Sequence, residues 1–236
     1  MNRWRDDAGQ AAASAVDAGP RRPAATDAGP LAVEPQAQWE QVYRTKGERE
    51  TSWFREHLDT SLALIDGLEL DRATPVIDVG GGRSTLVDDL LARGYTDLGV
   101  LDLSEAALAQ ARERLGATGG SVAWHVADVT HAALPDARYG IWHDRAVFHF
   151  LVDEAARAAY VAQAARAVRP GGYAIIATFA PEGPEKCSGL PVRRHSAAEL
   201  AAAFAPAFGL VGEAREEHRT PWDSAQAFVY AVLRHR

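Results

Sequence analysis

Three carboxylates in this chain sit in matching places. Asp78, Asp102 and Asp128 each fall at the end of a short apolar run: Val76-Ile77-Asp78-Val79, Val100-Leu101-Asp102-Leu103 and Val126-Ala127-Asp128-Val129. The first acid leads into a glycine turn, Gly80-Gly81-Gly82-Arg83-Ser84, and a helical pattern opens at Thr85. Strand, glycine turn and helix start together suit a nucleotide-like ligand. Glycines let the backbone approach it closely, and the first turn of a helix offers unused N–H groups.

The chemistry of the turn narrows the ligand. A dinucleotide fingerprint wants glycine at its first, third and sixth positions. Here those positions are Gly80, Gly82 and Thr85, so the third glycine is missing. A triphosphate loop needs a lysine before Ser/Thr, and this turn has none. Asp78 is a poor neighbour for an anionic pyrophosphate and a good one for a ligand with cationic parts. S-adenosylmethionine (SAM) carries an ammonium and a sulfonium and no phosphate. Asp102, twenty residues beyond Gly82, can accept both ribose hydroxyls with Leu103 beside it, although NAD would use the same acid. Asp128 and Val129 suit an adenine ring, the carboxylate on its exocyclic amine and the valine on its face. One carboxylate at a strand end is commonly a solvated cap; three in succession around one glycine turn point to a site.

The elements that must hold these residues follow from periodicity. Strands are expected over 75–79, 98–101, 122–126, 139–143, 173–179, 209–214 and 227–233, and helices over 57–68, 85–93, 105–115, 154–168 and 197–204. Ser104 and Ser196 are the expected N-caps. Arg169-Pro170-Gly171-Gly172 should stop a helix and turn into the fifth strand. Alternating strands and helices imply an α/β fold, a doubly wound, mainly parallel sheet. The last two strands have a short connection and should form an antiparallel pair.

Trp39, Val42 and Tyr43 make a helical stripe ahead of the first strand, and Trp53-Phe54 follow a polar loop. Residues 37–72 are expected to form a helical lid over the ligand-binding edge, and 37–236 one domain. Residues 1–36 are rich in alanine, glycine, proline and aspartate, with a small echo in Asp17-Ala18-Gly19-Pro20 and Asp27-Ala28-Gly29-Pro30. They are expected to be a disordered tail.

Composition sets the outer bounds. Among 236 residues, 47% are hydrophobic and 24% charged, ordinary for a globular protein. A net charge of −7 argues against a long basic track for nucleic acid. A single cysteine, Cys187, leaves no intrachain disulfide and no multi-cysteine metal cluster. No apolar run reaches the length of a membrane helix, and the N-terminus lacks a signal-peptide core. The expectation is a cytoplasmic protein with no membrane or nucleic acid partner and no metal.

With these residues in view, the chain resembles the class I SAM-dependent methyltransferases over about residues 39–233. The resemblance rests on Asp78-Val79-Gly80-Gly81-Gly82, Asp102, Asp128, Trp142-His143-Asp144-Arg145 and Arg169-Pro170-Gly171-Gly172-Tyr173. It implies SAM as cofactor and a seven-stranded sheet whose last strand is antiparallel. Ser84 stands where the family often has a third glycine. Asp144-Arg145-Ala146, followed by Arg157 and Tyr160, is similar to the thiopurine and related thiol or chalcogen S-methyltransferases, which commonly have glycine where Ala146 stands. Trp39 and Trp53-Phe54 are similar to that subgroup's aromatic N-terminal cover, and Arg145 is by the same resemblance a substrate or cofactor contact.

The end of the fourth strand should face the methyl group, because ligands in such sheets sit outside the strands' carboxyl ends. Asp144, Arg145 and His149 are the candidate catalytic residues, with Asp144 also counted at the cofactor. His149 and His143 are candidate bases and Arg145 a cation that favours an anionic acceptor. Trp39, Tyr43, Trp53, Phe54 and Cys187 are candidates for the lid and acceptor pocket. The preferred acceptor is a small thiol, chalcogen or similar soft nucleophile. Protein lysine is the alternative, since Asp144-Arg145 matches half of the Asp-Lys/Arg-Gly-Thr run of the elongation-factor-directed enzymes. A nicotinamide-dependent oxidoreductase and a non-catalytic SAM binder are the rival classes. Against the first, no Tyr-x-x-x-Lys pair occurs.

Overall fold

The structure, a computed structural model, describes residues 35–236. The expected tail therefore lies outside the described residues, except that its last two positions, Pro35 and Gln36, open a helix. Five strands run parallel: β1 (Val76–Val79), β2 (Leu98–Asp102), β3 (Ala123–Val126), β4 (Tyr139–Arg145) and β5 (Val168–Phe179). A two-stranded hairpin, β6 (Lys186–Cys187) and β7 (Leu190–Pro191), stands apart. The last strands are β8 (Phe208–Arg219) and β9 (Ala225–His235). The seven-stranded sheet has the order β3-β2-β1-β4-β5-β9-β8, with β9 antiparallel to both β5 and β8.

Helices α1 (Pro35–Thr45) and α2 (Asp59–Gly67) precede the sheet. Helices α3 (Leu86–Ala92), α4 (Glu105–Leu115), α5 (Glu154–Ala167) and α6 (Ala197–Phe204) cross over it. Because strand side chains alternate, the central strands feed two separate cores. Ile77, Val79, Leu101 and Trp142 pack with Tyr160, Ala164, Leu200 and Phe204 on one face. Val76, Val100 and Ile141 pack with Leu62, Ile65, Leu86, Leu90 and Leu108 on the other. Ser104 and Ser196 cap α4 and α6 as expected, Ser196 in a full capping box with Glu199.

Two boundaries differ from the sequence expectation. Residues 169–172 do not separate α5 from β5. The pairs Tyr139–Val168 and Ile141–Tyr173 flank them, so they bulge out within the strand, with Gly171 at φ 77°. Strands β8 and β9 are also far longer than 209–214 and 227–233, and only residues 220–224 join them. The covered side of β8 carries Glu216 and His218, which breaks the apolar half of the alternation that marks a strand. Among the described residues, no helix is long and apolar enough to cross a membrane.

Candidate active site

The parallel sheet brings the three carboxylates to one edge. Asp102 and Asp128 line a large cleft together with Val79, Gly80, Leu101, Leu103, Ala127 and Val129. The cleft holds about 1360 Å³ of empty space, part of it open to solvent. Each acid is held by its own neighbourhood. Ser104 N–H donates to Asp102 Oδ1 at 2.8 Å, and the Thr130 N–H and hydroxyl donate to Asp128 Oδ1 at 2.8 and 2.7 Å. One oxygen of each acid is thereby committed, which fixes the direction of the other. Burial pushes Asp102 up to about 7, and the negative charge of Asp78 adds to the rise against backbone N–H donation from Ser104, Gly82 and Leu103.

The glycine turn requires glycine where it bends. Gly80 and Gly82 have φ of 68° and 47°. A side chain on Gly80 would meet Val147 Cγ2 at 1.9 Å, and one on Gly82 would meet the Tyr43 hydroxyl at 2.6 Å and Asp102 Oδ2 at 3.1 Å. The Gly80 N–H donates to the Leu101 carbonyl at 2.6 Å, which ties the turn to the end of β2. Ser84 accepts from the Leu86 N–H at 3.1 Å and so takes one of the N–H groups at the start of α3. Asp78, Gly81, Ser84, Phe54 and His143 line a second, smaller cavity that shares Tyr43, Trp53, Gly80 and Arg145 with the large cleft.

Several residues ahead of β1, Trp39, Tyr43 and Trp53 among them, line the cleft. Trp39 packs edge-on against Trp53 and Phe150, with ring centroids 5.6 and 5.1 Å away, and Tyr43 packs edge-on against Trp53 at 6.2 Å. Helix α1 is tied down by Glu40, which accepts from the Ser104 hydroxyl at 2.7 Å and the Ala106 N–H at 3.2 Å. An acid at the start of α4 is favourable there.

Arg145 is the cation of the cleft wall. Its Nη2 donates to Glu216 Oε1 at 2.9 Å and its Nε to the Tyr230 hydroxyl at 3.1 Å, and that hydroxyl donates to Glu216 Oε2 at 2.8 Å. The guanidinium lies 4.3 Å from the Phe228 ring centre. Only 5% of the Arg145 side chain and 8% of Glu216 are exposed, so this ion pair is fixed in place. Sequence reasoning missed Glu216, Tyr230 and Phe150. Glu216 stands 71 residues beyond Arg145 on an edge strand, with no local motif to mark it.

Asp144 points away from the cleft. As the neighbour of Arg145 on β4 it faces the opposite side of the sheet, fully buried. Its oxygens accept from the Val147 N–H at 2.8 Å, the Phe148 N–H at 3.0 Å and the Tyr160 hydroxyl at 2.5 Å, and Trp142 Nε1 donates to Tyr160. Burial pushes it up to about 6, against donation from Tyr160. Asp144 thus shapes the bend after β4, where Ala146 sits at φ 76°, a glycine-like conformation. This placement also removes Asp144 from direct contact with ligand in either cavity.

His149 is likewise not brought to the cleft. It is fully buried between Phe150 and Phe179, with ring centroids 4.4 and 4.8 Å away, and neither ring nitrogen has a partner. Burial pushes it down to about 3, so it is a neutral core side chain. Cys187 lines the cleft from β6, and burial raises its thiol.

This geometry fits the cofactor the sequence suggested: two partly committed carboxylates and Val129 along one wall, and a glycine turn beneath a third carboxylate. Comparison with known proteins agrees. Residues 76–172 match the family model described as a methyltransferase domain. A stretch of 107 residues is 26% identical to the eEF1A lysine and N-terminal methyltransferase of Mus musculus, covering 45% of this chain and 15% of that relative. The fold is similar to that in a structure reported for the conversion of a disulfide bond into a thioacetal group during echinomycin biosynthesis. That match has a TM-score of 0.70, 21% identity, and covers 85% of this chain and 92% of the other. It is also similar to Burkholderia thailandensis 1,6-didemethyltoxoflavin-N1-methyltransferase with S-adenosylhomocysteine bound, at TM-score 0.65 and 21% identity, covering 85% and 86% of the two chains. The likeness is thus to a methyltransferase domain over residues 76–172, in a fold shared with a methyltransferase that holds S-adenosylhomocysteine.

Proposed function

We propose that this chain transfers a methyl group from SAM to a small soft nucleophile, a thiol, chalcogen or comparable small molecule. The observation that carries this reading is the lining of the large cleft. Besides the two acids it includes Trp39, Trp53, Val147, Phe150 and Cys187, with Arg145 as the one buried cation among the lining residues. Aromatic and apolar walls take a compact, polarisable acceptor, and a fixed cation favours its anion.

In this reading Asp102 accepts the ribose hydroxyls and Asp128 the adenine amine, while Val129 lies on the ring. Asp78 faces the ammonium across the glycine turn. SAM supplies a methyl group already activated by its sulfonium. What the chain adds is alignment and exclusion of water: Arg145 and the aromatic lid hold the acceptor in line behind a closed wall. His149 and Asp144 take no direct part, and no general base is needed for an acceptor that enters as its anion.

A second reading has support of its own. The local likeness to the eEF1A lysine and N-terminal methyltransferase favours a protein amine as acceptor. The decisive experiment is a screen with methyl-labelled SAM across small thiols, selenite, tellurite, amines, carboxylates and cell-extract proteins. Label on small thiols or chalcogens supports the first reading, and label on protein alone overturns it.

A further inference from the structure

The acid under the glycine turn is held by two further side chains. Asp78 and His143 are register partners on β1 and β4, so both side chains leave the same face of the sheet. Asp78 Oδ1 lies 2.7 Å from His143 Nδ1, and His143 Nε2 lies 2.8 Å from Ser61 Oγ. All three residues are buried, His143 and Ser61 completely. Ser61 belongs to α2, ahead of the first strand.

Hydrogen assignment in such a chain is constrained. A carboxylate can only accept, so the hydrogen lies on Nδ1. At Nε2 the Ser61 hydroxyl, 2.8 Å away, anchors the ring whether it donates to a lone pair or accepts from a ring N–H. Oδ1 is committed to His143. Oδ2 lies against the glycine turn, 2.7 Å from where a side chain on Gly81 would begin. Asp78, Gly81 and His143 all line the smaller cavity.

We infer that His143 and Ser61 are positioning residues for Asp78: they pin one oxygen of its carboxylate and aim the other at the ammonium of the cofactor. This rests on the proposed reading of Asp78 as the ammonium partner. It gives His143 a task distinct from that of a base: the ring transfers no proton to the acceptor. It also makes α2 part of the cofactor site, since the residue that anchors the ring at Nε2 is carried by that helix. Ser61 reaches Tyr230 as well, whose hydroxyl holds Arg145. The same serine therefore stands between the ammonium side and the acceptor side of the site.

The test is calorimetric titration of the full chain with two ligands. S-adenosylhomocysteine carries the ammonium; 5′-methylthioadenosine has the same nucleoside and lacks the amino acid portion. His143→Leu should weaken S-adenosylhomocysteine roughly 10- to 100-fold and leave methylthioadenosine unchanged. His143→Asn, whose amide can still donate to Oδ1, should recover most of that loss. Ser61→Ala should cost about fivefold on S-adenosylhomocysteine alone. Unchanged affinity for S-adenosylhomocysteine in His143→Leu overturns the inference, and so does a parallel loss of both ligands. If the leucine variant does not fold, Ser61→Ala decides: an unchanged ratio of the two affinities overturns it. Asp78→Asn separates the two levels. If that variant keeps the wild-type ratio, the ammonium reading of Asp78 has failed. If Asp78→Asn collapses the ratio while the His143 and Ser61 variants keep it, the inference alone has failed.

Discussion

The two ends of the large cleft are built on different principles. At the β2–β3 end, Asp102 and Asp128 are held by residues two positions away, through Ser104 and Thr130. At the β4–β9 end, Arg145 is held by Glu216 and Tyr230, 71 and 85 residues further along. A short turn can hold an acid without help from the rest of the sheet. A buried cation cannot be held that way, because taking it from water is tolerable only beside a charge that folding brings to it. The β2–β3 end is thus locally specified and the β4–β9 end depends on the whole antiparallel pair.

The sharpest way to break this contrast is Glu216→Ala. It strands a buried guanidinium and should cost about 3–5 kcal/mol in urea unfolding. A loss under about 1 kcal/mol would mean that water reaches Arg145, and the two ends would no longer differ. Asp102→Ala should instead act on the ligand, weakening SAM by about 1.5–3 kcal/mol in calorimetry. Unchanged affinity would remove Asp102 from the ribose site.

The same carboxyl carries a pH signature. Burial raises Asp102 to about 7 and Asp144 to about 6. Above the ordinary carboxylate range the unfolded chain has released these protons and the folded chain still holds them. The stability they contribute is therefore full below about pH 4 and is lost as pH rises through 6 to 7. Urea midpoints measured from pH 4 to 8 should show that decline, and Asp102→Asn should flatten its upper part. An unchanged slope in that variant would assign the decline to other groups.

Two smaller effects sharpen the reading of the bend after β4. Ala146→Gly relieves a left-handed alanine at the cost of a more flexible unfolded chain, and should raise stability by about 0.5–1 kcal/mol. Thermal unfolding that shows a loss instead would mean the methyl group packs more than its backbone costs. His149→Leu should leave turnover nearly unchanged in a labelled-SAM assay. A fall of roughly 100- to 10,000-fold, the scale of a lost general base, would restore His149 to the chemistry.

The contrast also explains what could be read in advance. The seven strands, the glycine turn and the acids of β1, β2 and β3 were legible because each is a local pattern of apolar alternation broken by a polar end. Strand β8 reads short because its covered side carries Glu216 and His218 where the pattern expects apolar residues. Asp144 and Arg145 were grouped as one catalytic pair because they are adjacent. In a strand, adjacency means opposite faces, and only their surroundings show that Arg145 meets the cleft and Asp144 the bend. His149 stood near them in the sequence, yet its ring went into the core between two phenylalanines.

The sequence by itself determined the class of fold and the kind of cofactor, because a strand end, a glycine turn and a following helix are made of near neighbours. The tertiary structure decided which residues stand in the cleft and what holds them. Glu216 reaches Arg145, and Ser61 reaches Asp78 through His143, only because β9 lies between β5 and β8 and α2 packs over the sheet. The physical reason is that buried charge and buried polar hydrogens must be satisfied by whatever folding places beside them, and no spacing along the chain records that partner.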